Sequence, residues 1–404
     1  MIYDLIVLGG GAAGYFSALS AKEENPTAKV AIFEKAAVVL SKVRISGGGR
    51  CNVTHACFDP NLLCKNYPRG SKELIGPFHQ FGPTETIEWF QTRGVRLKAE
   101  EDGRMFPITD SSETIIDCLV GETKKLGIEL HLIQRIESIE KIEDHFVLKT
   151  KDGHEILTKK LVLATGSQSD GHRFAKELGH TIQEPVPSLF TFNVPDSPLQ
   201  ELSGIAFESV KLQLKDISYT QTGPLLITHF GFSGPAALKL SAWAARELYQ
   251  KKYCVELIIQ WLPQLSLKSI VEALHVLKQK FPQKTLIQEN PFHLPRRFWK
   301  FILGKIEEKK LNDIPLKELD KLAERLYRDV YQVQGKTTNK EEFVTCGGVT
   351  LKEVNFKTME SKICPGLYFA GEILDIDGIT GGFNFQNAWT TGYIAGSNAV
   401  SFHN

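Results

Sequence analysis

The chain has 404 residues, of which 42% are hydrophobic, and its 48 Lys plus Arg against 47 Asp plus Glu leave a net charge of +1. That balance excludes a disordered chain and a strongly basic one, and the length suggests two or three domains. No apolar run reaches the ~18 residues of a membrane span, and the seven cysteines, at 51, 57, 64, 118, 254, 346 and 364, are odd in number and lack zinc spacing. They predict reduced thiols in a cytoplasmic protein with no metal site.

The N-terminus, MIYDLIVLGGG, reads as a buried first strand and not as a signal peptide. The run from Asp4 to Leu8 meets Gly9, Gly11 and Gly14 in G-x-G-x-x-G spacing, with Ala12 and Ala13 between, and a helix follows from Tyr15. A second strand over Val30–Phe33 ends in Glu34 and Lys35. Strand, glycine turn, helix, strand and acid are the signature of a dinucleotide site. Gly9 permits the turn, Gly11 lets backbone approach a pyrophosphate, and Gly14 lets the helix sit close on the strand. The phosphates lie at the helix N-terminus, and Glu34 accepts from a ribose diol.

Next comes ISGGGRCNVTH, residues 45–55. Ser46, Gly47, Gly48 and Gly49 present bare backbone, with Arg50, Cys51 and Asn52 just beyond. A strand over Leu161–Gly166 then ends in Ala164, Thr165 and Gly166.

Residues 189–261 alternate with period two, as in an antiparallel sheet or small barrel. His229 lies inside this stretch, either as an acid, base or substrate contact or as a structural histidine at a strand end. Residues 264–329 show helical spacing and hold 14 Lys plus Arg against 9 Asp plus Glu. Within them Arg296, Arg297, Trp299 and Lys300 combine cations with an aromatic ring, a set suited to an RNA backbone and base. Composition alone favours an amphipathic bundle with solvated lysines. No repeat or low-complexity segment interrupts the chain.

Near the C-terminus a strand over Gly366–Ala370 ends in Gly371 and Glu372, and Gly381, Gly382, Phe383 and Asn384 open a last helix. The three strand ends in this order select FAD, in a Rossmann-like α/β fold of the two-dinucleotide-binding flavoprotein type. Glu372 then takes the ribityl chain, and the last helix aims its N-terminus at the flavin pyrimidine, where reduction builds negative charge. The triple-glycine loop runs along the extended cofactor. Arg50 offsets phosphate or reduced-flavin charge, and Asn52 reaches the flavin edge. Cys51 is a small buried residue, a proton donor, or half of a redox disulfide with Cys57.

The chain resembles the bacterial NAD(P)/FAD-dependent oxidoreductases that include aminoacetone oxidases, reductases of unsaturated bile-acid intermediates and dihydrouridine synthases of large-subunit ribosomal RNA. The resemblance covers nearly the whole length through GGGAAG at 9–14, SGGGRCNVT at 46–54, GRMFP at 103–107, THFGFSGP at 228–235, TMESK at 358–362 and GEILDIDGITGGFNFQNAW at 371–389. Three places depart from it: Leu40-Ser41-Lys42, Thr54-His55, and a shortened loop after Gly166.

The resulting architecture has a FAD-binding domain from 1–188 and 346–404. A β-rich insertion spans 189–262 and closes with 330–345, and a helical insertion spans 263–329. The expected activity is NAD(P)H-driven hydride transfer from flavin N5 to a polarised C=C bond, with Cys51 or His229 as proton donor and ribosomal RNA uridine as substrate. With no second G-x-G-x-x-G, NADH or NADPH binds only transiently. The alternatives are an amine oxidase using oxygen on aminoacetone or a similar amine, and an RNA-binding protein with structural flavin.

Overall fold

The computed structural model describes residues 2–195, 197–337 and 344–401, which divide into two compact units, one of 1–186 with 340–404 and one of 187–339. The first unit is built on a parallel sheet in the order Leu367–Phe369, Glu155–Leu163, Ile2–Leu8, Val30–Phe33, Glu129–His131. Its central strands are apolar and buried where they near the crevice, at Leu5–Leu8, Val30–Phe33, Leu161–Leu163 and Leu367–Phe369, as a covered parallel sheet requires. The register pairs Leu8 with Phe33 and Leu163, Phe33 with His131, and Leu163 with Phe369. The carboxyl ends of all five strands therefore stop at one level. The chain leaves the central strand in one direction and returns on its other side, so the crevice at these ends is a topological switch point.

Two helices cross behind that crevice, Ala12–Glu24 and Phe383–Val400. The crossing is close because Gly392 and Gly396 face the first helix: a Cβ on Gly396 would lie 2.0 Å from Ser17 O and one on Gly392 2.7 Å from Ala13 O. A small sheet of Thr54–His55, Leu97–Ala99 and Arg104–Pro107 stands beside the triple-glycine loop.

The second unit holds a seven-stranded antiparallel sheet. Asp329–Gln334 pairs with Cys254–Gln260 at one end, and its continuation Lys336–Thr337 pairs with Thr191–Asn193 at the other. One stretch of chain thus pairs at both ends of the strand order, which curls the sheet toward a barrel. The helices Leu267–Lys280, Arg296–Leu303 and Leu316–Tyr327 do not make a core of their own. Ile270, Leu274, Phe298, Leu319 and Leu326 belong to the same buried cluster as Phe207, Phe232, Trp261 and Tyr331 of the sheet. Two units therefore stand where the sequence suggested three domains. The helical segment is amphipathic, and its apolar stripe is satisfied by the sheet's own face.

Candidate functional site

At the central crevice glycine is demanded by space. A Cβ on Gly9 would sit 2.4 Å from Ala164 O, and one on Gly14 would sit 1.8 Å from Gly9 O. Gly11 instead faces open space, with nothing within 4 Å of a Cβ position. It is the N-cap of Ala12–Glu24, and no side chain caps that helix. Its first N–H groups are thus placed for an anion. Glu34 already holds the turn: Oε2 accepts from Gly10 N at 2.7 Å and Oε1 from Ala36 N at 2.8 Å. Each oxygen keeps a lone pair for a diol. Lys35 turns away and donates to Asp170 Oδ2 at 3.0 Å.

In the second loop Gly47, Gly48 and Gly49 have φ of +58°, +69° and +83°, three successive left-handed residues. Ser46 begins the departure from helical geometry, and its backbone oxygen accepts from Cys51 N at 3.0 Å. Gly47, Gly48 and Gly49 are exposed.

The three side chains that follow have other duties. Arg50 donates to Glu100 Oε1 at 2.6 Å, lies 3.6 Å from Asp110 and stacks 3.9 Å over the Phe106 ring. Its charge is balanced locally, which corrects its assignment to phosphate or flavin. Cys51 is 0% exposed, and burial pushes its thiol up to about 12, against the opposing hydrogen bond from Ser46. A protonated thiol sealed in the core cannot meet a substrate, so Cys51 is corrected to the buried alternative. It and Cys57 are both free thiols, which leaves no disulfide. Asn52 ties the loop to the last helix, its amide donating to Thr54 O at 3.1 Å and accepting from Gly382 N at 3.0 Å.

Opposite, Thr165 and Gly166 follow the strand ending at Leu163, and Glu372 follows the strand ending at Phe369. Its Oε2 is 3.8 Å from a Cβ position on Gly166 and 2.6 Å from Lys42 Nζ. Gly371 (φ +74°) donates to Thr391 Oγ1 at 2.9 Å, and a Cβ there would meet Ala13 Cβ at 2.8 Å.

Gly381 and Gly382 lead into Phe383–Val400, again with no side-chain cap. Phe383 stacks on His55 and its carbonyl accepts from Tyr67 Oη at 2.6 Å, so its ring is structural. Asn384 is likewise committed, exchanging hydrogen bonds with the Gly378 backbone at 2.8 and 2.9 Å. What this end offers a ligand is backbone N–H.

Several supports were invisible in the sequence. Gln386 is fully buried and accepts from Thr54 and Thr86 while donating to Thr390 at 3.0 Å, joining three elements. Arg69 pairs with Asp377, which has no exposed surface. Only the Gly392-x-x-x-Gly396 spacing carried a readable signal, the small-residue pattern of a close helix crossing.

In the second unit His229 is exposed at the tip of a tight turn closed by Thr228 N donating to Gly231 O at 2.8 Å. Trp299 is 1% exposed and its Nε1 donates to Leu286 O at 2.7 Å. It is a core residue, which corrects its assignment as a base-stacking ring. Arg296, Arg297 and Lys300 remain exposed on the outer side of the same helix. Arg297 also donates to Glu201 O. Among the described residues no cluster of His, Cys, Asp and Glu could hold a metal, and no helix is long and apolar enough to cross a membrane.

The aligned strand ends, two uncapped helix N-termini and glycine cradles facing open space fit a long anionic dinucleotide. The model of the HI0933-like protein Rossmann domain matches residues 3–398. The chain belongs to this family. Two of its relatives match nearly end to end. A 3-dehydro-bile acid delta(4,6)-reductase of Clostridium scindens is 27% identical over 409 residues, covering 98% of both chains. A ribosomal RNA dihydrouridine synthase of Escherichia coli is 29% identical over 413 residues, covering 99% of this chain and 98% of that one. Among solved structures, a 3-ketosteroid-delta4-(5alpha)-dehydrogenase from Rhodococcus jostii shares the fold with a TM-score of 0.54 at 15% identity, over 99% of this chain and 97% of that one. A flavocytochrome c3 fumarate reductase does so with a TM-score of 0.51 at 17% identity, over 99% and 78%. This HI0933-like chain is an FAD-dependent oxidoreductase.

Proposed function

We propose that this enzyme is an NAD(P)H-driven reductase of a polarised C=C bond, with a uracil ring of large-subunit ribosomal RNA as its substrate. The carrying observation is the end-to-end match to two relatives whose names describe the same chemistry, a delta(4,6)-reductase and a dihydrouridine synthase. Each adds hydrogen across a double bond conjugated to a carbonyl.

Bound FAD supplies two-electron hydride chemistry. The chain's own residues bind and orient it. Gly9, Gly11, Ala12, Ala13 and Gly14 give the pyrophosphate a helix N-terminus, and Glu34 takes the ribose. Gly47, Gly48 and Gly49 lay backbone along the cofactor. Ala164, Thr165, Gly166, Gly371 and Glu372 flank its ribityl side, and Gly381 with Gly382 opens the helix that stabilises negative charge on the pyrimidine. Of the two candidate proton donors, Cys51 is buried and His229 is exposed on its turn. Arg296, Arg297 and Lys300 serve an RNA backbone without help from Trp299. NADH or NADPH reaches the flavin transiently, since the chain has one G-x-G-x-x-G turn.

Mass spectrometry of large-subunit rRNA from cells with and without the gene tests this reading. A dihydrouridine that reverts to uridine on deletion is the expected result. Unchanged rRNA would sink the RNA substrate. NADPH-driven reduction of enones would then keep the C=C chemistry, and peroxide formed from O2 as a small amine is oxidised would replace it with amine oxidation.

A further inference from the structure

The cation expected at the cofactor, Arg50, is engaged by Glu100 and Asp110. A different cation reaches the carboxyl ends of the parallel strands. Lys42 precedes the triple-glycine loop and places Nζ 2.6 Å from Glu372 Oε2, across 330 residues of sequence. Glu372 stands just past the strand that ends at Phe369, and Phe369 pairs with Leu163. Its Oε2 lies 3.8 Å from where a Cβ on Gly166 would be. The Lys42 side chain is 47% exposed and that of Glu372 only 15%. The ion pair therefore sits at the mouth of the crevice, with the carboxylate on the inner side.

A pair this exposed adds little to folding stability. Its consequence is orientation and charge. Oε2 is taken by Lys42, and among the described residues Oε1 accepts no hydrogen bond. We propose that Lys42 is a positioning residue of the FAD site: it fixes the Glu372 carboxylate so that Oε1 faces a cofactor hydroxyl, and it cancels a negative charge that would otherwise oppose flavin reduction. This rests on the FAD-site assignment above. Reduction adds electron density to the cofactor, so an uncompensated carboxylate nearby makes it less favourable.

The test compares wild type with Lys42→Met, Lys42→Arg, Glu372→Gln and the double variant Lys42→Met/Glu372→Gln, reading FAD dissociation by fluorescence and the flavin midpoint potential. Lys42→Met is expected to weaken FAD binding about tenfold and to lower the potential by about 30 mV, a tenfold shift for a two-electron couple. Lys42→Arg restores both, because the charge returns. In the Glu372→Gln background Lys42→Met adds less than about twofold, the coupling expected of a residue acting through its partner. Unchanged affinity and potential in Lys42→Met would overturn the proposal. So would equal losses in both backgrounds, which mean direct action on the cofactor. Gly11→Val separates this from the underlying assignment: a side chain on Gly11 blocks pyrophosphate approach, so a folded Gly11→Val protein with full flavin occupancy refutes the site itself.

Discussion

Two glycine-rich stretches serve this enzyme, and they need glycine for opposite reasons. In the turn at 9–14, Gly9 and Gly14 are required by room, because a Cβ at Gly14 would lie 1.8 Å from a backbone oxygen. In the loop at 47–49, Gly48 and Gly49 have open space around them and are required by conformation, with φ of +69° and +83°. The first is a packing constraint, where a strand, a helix and a neighbouring strand end are pressed together. The second is a constraint on the path of an exposed loop. A run of glycines in sequence does not say which applies.

The largest effect should come from the packed turn. Gly14→Ala forces backbone apart between helix and strand and should cost about 3 kcal/mol or more, seen as a collapse of the melting temperature without cofactor. A wild-type melt in that variant would erase the distinction. Gly48→Ala should cost about 1 kcal/mol, since a left-handed alanine is penalised while the unfolded chain loses some freedom. Denaturant titration would show it, and a loss as large as that of Gly14→Ala would mean the loop is packed after all.

The smallest effect sharpens the comparison through pH. Neither glycine stretch carries an ionisable side chain, so the pH sensitivity expected near neutrality comes from buried histidines elsewhere in the same unit. Burial lowers the pKa of both His172 and His180 below the ordinary 6.5, against partial support from the Ile373 backbone and from Glu353. The unfolded chain therefore takes up these protons first. Stability should hold above pH 6.5 and fall as pH drops below it, until the folded-state values are passed. Denaturant midpoints measured between pH 8 and about 5 check this. His180→Gln should flatten the slope, and a slope that does not change assigns it elsewhere.

The legible part of the site was local. The turn, its helix, the second strand and Glu34 lie within one βαβ unit, where apolar spacing and glycine placement fix geometry over a few residues. The strand ends at Gly166 and Glu372 were legible for the same reason. The misreadings concern side chains whose partners are remote. Arg50 meets Glu100 50 residues on. The pair of Lys42 with Glu372, 330 residues apart, had no reading in the sequence at all. Trp299 and Lys300 are neighbours in sequence, but helical rotation sends one into the core and the other to water.

The sequence by itself determined the cofactor-binding unit, the antiparallel insertion and the backbone cradles, because these follow from periodicity and from residues that lack side chains. The tertiary structure decided which polar side chains are available to a ligand. It buried Cys51, balanced Arg50, closed Asn384 on Gly378 and brought Lys42 to Glu372. The physical reason is that a charge or hydrogen-bonding group takes its function from whatever lies within about 3 Å of it, and that neighbour comes from the packing of distant segments.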